Sequence, residues 1–72
     1  MSRIVAIGHE AKLAGYAIVG VEIIDATDPD LVRQAWRQIE RDVGLVLLTA
    51  DARRALPDPI DRADVLWAVL PA

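Results

Sequence analysis

Residues 28–49, DPDLVRQAWRQIERDVGLVLLT, decide how this chain folds. Asp28 can accept hydrogen bonds from the free amides of a first helical turn, and Pro29 suits the first helical position. Asp30 adds negative charge where the helix dipole favours it. Leu31, Val32, Ala35, Trp36 and Ile39 then share one side, while Arg33, Gln34, Arg37, Gln38, Glu40 and Arg41 take the other. That spacing predicts a strongly amphipathic helix, stopped by Gly44. Leu45-Val46-Leu47-Leu48 has no polar face, which is the pattern of a parallel strand covered on both sides. Thr49 follows as the cap of another short helix. A helix feeding a strand with two apolar faces is the building unit of an open parallel sheet.

Working outward, the same alternation continues in both directions. Upstream, Ile4-Val5-Ala6-Ile7 is an apolar strand rich in β-branched residues and ended by Gly8. From His9 to Val19 the period turns helical, with Leu13, Ala14, Ala17 and Ile18 on one side and Gly20 as the stop. Val21 to Ile24 is a second strand, and Glu22 within it suits a sheet edge. Downstream, Ala50 to Leu56 forms a short helix stopped by Pro57, and Pro57-Asp58-Pro59 makes a stiff connector. Residues 61–64 are polar. Val65 to Leu70 is a fourth strand, ended by Pro71. The sum is βαβαβαβ in one α/β domain over residues 1–72. It predicts a four-stranded parallel sheet in the order 2-1-3-4, a truncated doubly-wound arrangement of receiver-like or Rossmann-like kind.

Composition limits what such a domain can do. The 72 residues carry eight Lys+Arg, eleven Asp+Glu, one His and no Cys, for a formal charge of −3. A chain this short buries only roughly 60% of its unfolded surface. Without Cys it has neither disulfides nor thiolate metal sites to reinforce it. A hydrophobic fraction of 54% is high for a lone domain and points to a partner. The acidic balance argues against nucleic acid. Arg33, Arg37, Arg41, Arg53 and Arg54 read as solvated helix faces. No apolar run approaches the ~20 residues of a membrane span. The short N-terminal apolar stretch does not make a signal peptide, so a cytoplasmic location is expected.

The topology predicts where that partner sits. Right-handed crossovers put the first helix alone on one face and the second and third helices on the other. One short helix cannot shield four strands spaced ~4.8 Å apart. Strands 3 and 4 on the first-helix side, including one side of Trp67, are therefore expected to lie open, and such a patch marks an interface. The residues expected to meet a partner are Leu13, Gly15, Tyr16, Leu48, Trp67 and Val69. A charged residue in place of Trp67 is expected to abolish binding. Trp36 belongs to the core face of its helix. Gly15 permits close approach to the sheet or to another chain, and the residues do not choose between these.

No chemistry is expected at the strand ends. Gly8 begins no G-x-G-x-x-G turn, and Lys12 follows no phosphate-cradling loop. A receiver domain would need an acidic pair after strand 1 and an Asp ending strand 3; this chain has Gly8-His9 and Thr49 there. His9 and Glu10, adjacent at a helix start, do not converge as an acid–base pair. Ser2 is terminal. No catalytic residue, cofactor or metal site is expected.

These residues also resemble a known family. Arg3-Ile4-Val5-Ala6-Ile7-Gly8, then Gly15-Tyr16-Ala17-Ile18-Val19-Gly20-Val21, is similar to the opening of the F subunit of V-type and archaeal A-type ATPases. The similarity continues through Asp28-Pro29 and its helix, through Gly44-Leu45-Val46-Leu47-Leu48-Thr49, and into Val69-Leu70-Pro71-Ala72. The resemblance implies a non-catalytic subunit of the rotor's central stalk, binding the coiled-coil D subunit and supporting ATP-driven ion transport. It would be cytoplasmic and peripheral to the membrane through that complex. Family members carry a further C-terminal segment after the fourth strand, so the resemblance is to a short form. The alternatives are a stand-alone ligand sensor around Gly8, His9 and Thr49, and a self-associating interaction module.

Overall fold

The computed structural model describes residues 3–15, 20–57 and 64–71. Within them run β1 (Arg3–Gly8), α1 (Glu10–Leu13), β2 (Glu22–Asp25), α2 (Pro29–Arg37), β3 (Val43–Leu48), α3 (Ala50–Ala55) and β4 (Trp67–Val69). The strands form one parallel sheet in the order β2-β1-β3-β4, the α/β arrangement expected from the alternation of apolar runs and helical segments.

The helix starts follow their capping residues. The Asp28 carboxylate accepts from the Leu31 amide at 3.0 Å, and Thr49 Oγ1 accepts from the Ala52 amide at 3.1 Å. Each satisfies one of the amides that a helix N-terminus leaves without an internal partner.

The helix ends are less close to expectation. α2 stops at Arg37, with Gln38 as its cap, well before Gly44. Its apolar period runs out at Ile39, which is buried, so the chain turns there to reach the sheet. Gly44 lies inside β3 instead. It occupies the place where the β1–β3 register slips, Arg3 facing Val43 while Ile4 faces Leu45. A glycine absorbs the extra residue of such a bulge readily. α1 is α-helical only over Glu10–Leu13, and Ala14 and Gly15 continue it as a tighter 3₁₀ turn. The later part of the expected 9–19 helix, with Tyr16, and the Asp58-Pro59 connector lie outside the described residues.

Strand alternation sorts the core into two faces. Val5, Ile7, Val46 and Leu48 point toward α2 and α3, packing with Val32, Ala35, Trp36, Ala52 and Leu56. Trp36 is thus a core residue, as its helix face implied. Ala6 and Leu13 form the smaller cluster on the other face with Val21, backed by Ile23, Leu47 and Leu70. Leu13 anchors α1 there and is fully buried.

β2 is an edge strand, as Glu22 suggested, and that glutamate is used. Arg3 donates to Glu22 Oε2 from Nε at 3.0 Å and from Nη2 at 2.6 Å. Its Nη1 reaches both Asp42 oxygens at 3.1 and 3.2 Å. One guanidinium so ties β1, β2 and the turn before β3 together at the N-terminal edge of the sheet. The hydrogen bonds to Glu22 and then Asp42 push its pKa further upward, so Arg3 stays charged at any attainable pH.

Candidate functional site

Two surfaces compete as the working part of this molecule. The first is the sheet face on the α1 side. α1 packs over β1 and β2, so the side chains of β3 and β4 on that face have little cover. They are Leu45 and Leu47 of β3 and Ala68 of β4, with Leu66 and Leu70 flanking β4 and Ile4 of β1 beside them. Leu66 is 72% exposed and Ile4 37%, while Leu45, Leu47 and Leu70 are half-buried. Ile4, Leu66 and Ala68 are thus exposed apolar residues on one face of the sheet.

The open face is where topology placed it, but the residues expected to form it are largely not those that do. The β3–β4 register pairs Val46 with Trp67 and Leu48 with Val69. All four therefore point toward α2 and α3, and Leu48 is fully buried there. Trp67 and Val69 are exposed, but on the opposite face from α1. Trp67 lies under α3, with the Arg53 guanidinium 5.1 Å from its ring centroid. Arg53 is held over it by a hydrogen bond from Nη1 to the Pro57 carbonyl at 3.3 Å. Arg53 is thus half-buried stacking material, unlike the exposed Arg33, Arg37, Arg41 and Arg54. Leu13 is buried inside the cluster under α1. Gly15 is exposed, and a Cβ built on it would meet nothing within 4 Å, so among the described residues it serves no close approach. Tyr16 lies outside the described residues.

Ile4, Leu45, Leu47, Leu66, Ala68 and Leu70 escaped the sequence reading for one reason. A strand apolar at every position carries no period-two signal, so its parity is invisible until the register is known.

The second surface is a cleft of about 670 Å³ at the C-terminal ends of the strands, lined among others by His9, Lys12, Asp28, Thr49, Asp51 and Arg54. This is where open parallel sheets bind ligands, at the switch between β1 and β3. Each of these polar side chains is engaged by the fold. His9 Nδ1 accepts from the Ala11 amide at 3.1 Å, capping α1, and the Glu10 amide donates to Asp25 at 3.0 Å. Asp28 and Thr49 cap α2 and α3. Asp51 takes Lys12 at 3.7 Å and also Arg54. Arg33, another residue of the cleft wall, pairs with Asp30.

Gly8, at the end of β1, lies directly against Thr49 of the cleft wall. A Cβ there would come within 2.3 Å of Thr49 Cγ2 and 2.6 Å of its Oγ1. The two loops that a receiver domain would use for acidic residues are here packed backbone against methyl. Among the described residues no cluster of three His, Cys, Asp or Glu could hold a metal ion. No helix among them is long and apolar enough to cross a membrane.

The chain matches no protein-family model, no curated protein and no solved structure.

Proposed function

We propose that this chain is a non-catalytic interaction subunit of the central stalk of a V-type or A-type rotary ATPase. It binds the coiled-coil stalk subunit and supports ATP-driven ion transport from the cytoplasmic side, peripheral to the membrane. The observation that carries a binding role is the sparsely covered α1-side face of β3 and β4, with Leu66 beside it 72% exposed. The resemblance of Arg3–Gly8, Gly15–Val21, Gly44–Thr49 and Val69–Ala72 to the F-subunit pattern names the partner. A long amphipathic helix is a suitable occupant, since its apolar stripe can lie along the β3–β4 surface beside α1.

The test is calorimetric titration of the purified chain with the coiled-coil stalk subunit of the same organism. One-to-one saturable binding is expected, weakened about 30-fold or more by Leu66→Asp or Ile4→Lys, as for residues central to an interface. Trp67→Gln, on the opposite face, should bind as the parent does. Absence of binding by the folded parent, or unchanged affinity in both folded face variants, overturns the proposal.

A further inference from the structure

β4 ends the sheet, and its outer edge has a definite hydrogen-bonding pattern. The Val46 amide donates to the Leu66 carbonyl at 2.9 Å, and the Leu70 amide donates to the Leu48 carbonyl at 2.8 Å. Residues 66 and 70 therefore turn these groups inward, and the alternation of a parallel ladder does the same for Ala68. Trp67 and Val69 consequently turn their N–H and C=O groups outward. β4 is paired only with β3 among the described strands.

Native sheets guard such edges with short strands, charge, proline or cover, and β4 has the first of these, being three residues long. The opposite edge, β2, is guarded by Glu22 and Asp25 at its two ends. Between the flanking Asp64 and Pro71, the β4 edge has no charged residue and no proline.

This edge is also self-complementary. Turned antiparallel about a two-fold axis at Ala68, it sets Trp67 opposite Val69 of the second copy and Val69 opposite its Trp67. Both are outward-facing pairs, so each exchanges two hydrogen bonds, giving four in all. On the α3 face this makes two aromatic-to-β-branched cross-strand pairs, a favourable combination. On the α1 face Leu66 meets Leu70, and Ala68 meets Ala68. Every side chain in the register faces an apolar one.

We propose that the outer edge of β4 is a self-pairing site, at which a second copy of this chain adds its own β4 antiparallel to form one eight-stranded sheet. The pairing rests on the edge geometry and is independent of the stalk reading. It leaves the α1-side face of each copy exposed.

The chain has no cysteine, so single-cysteine variants test the register directly. In Ala68→Cys the two thiols sit across the axis at a non-hydrogen-bonded pair, with Cα atoms about 4.5 Å apart, which a disulfide can span. In Leu66→Cys or Leu70→Cys the equivalent residues lie about 13 Å apart along the strands, too far to bridge. Mild oxidation should cross-link Ala68→Cys at least about tenfold faster than either. Sedimentation equilibrium of the unaltered chain should rise from 7.9 kDa toward twice that mass with concentration. Val69→Pro deletes an outward amide while sparing the ladder to β3; it should remain folded by circular dichroism and stay monomeric. A parent chain that is monomeric up to millimolar concentration overturns the proposal. So does cross-linking that is fastest at position 66, at position 70, or in Leu45→Cys on the flat of the sheet.

Discussion

Substituting Gly8 by Ala should be among the most damaging single-methyl changes this protein can suffer. The added Cβ would lie 2.3 Å from Thr49 Cγ2, 2.6 Å from Oγ1 and 3.0 Å from Cβ. Reaching ordinary carbon contact requires the two groups to part by roughly 1 Å. Thr49 has nowhere to go: it is buried, its amide donates to the Ile7 carbonyl, and its Oγ1 caps α3. Overpacking costs about 1–3 kcal/mol, and a displaced cap adds about 1 kcal/mol. In a domain of this size, a loss of about 2–4 kcal/mol lowers the Tm by roughly 10–30 °C. Thermal denaturation by circular dichroism measures it, in a cycle with Thr49→Ala. That second change deletes the two closest atoms at the cost of the cap and one buried methyl, about 1–2 kcal/mol. The double variant should then be more stable than the sum of the single losses by more than about 1 kcal/mol. A Gly8→Ala protein melting within about 2 °C of the parent, or strictly additive losses, would refute the steric reasoning.

The other predictions concern single features of the fold. Asp28→Ala should cost about 1 kcal/mol through the lost cap of α2, lowering the Tm by about 4–8 °C; Asp28→Asn should recover most of it. Leu48→Ala, at a fully buried site, should cost about 2–5 kcal/mol by cavity formation. Leu66→Ala should change the Tm by little, because most of that side chain is already in water; urea denaturation of the pair reads the contrast. Arg3→Met should lower the Tm at low ionic strength, and the difference from the parent should shrink as NaCl is raised, because the bridges to Glu22 and Asp42 are largely exposed. A difference that does not respond to salt would mean that the arginine stem's packing, not its charge, matters.

The sequence by itself determined the order and type of the elements, the sheet order and the sparse cover of one face. Each is written in local chemistry: Asp28-Pro29 starts a helix whatever surrounds it, and Leu45–Leu48 can only be a strand that wants two apolar neighbours. Trp36 was legible as core for the same reason, since a helical period declares its own inner side. Only the tertiary structure decided which residues look out from the open face. Strand 4 is apolar at every position from Val65 to Leu70, so nothing local distinguishes Trp67 and Val69 from Leu66, Ala68 and Leu70. Their parity follows from the register against β3, which places Trp67 beside Val46 and under Arg53. The bulge at Gly44 likewise turns Leu48 inward and Leu47 to the α1 side. A one-residue step in register exchanges the two faces of a strand. That step is set by pairing between segments some forty residues apart for β1 and β3 and some twenty for β3 and β4, so in this protein the existence of the surface was a local property and its membership a non-local one.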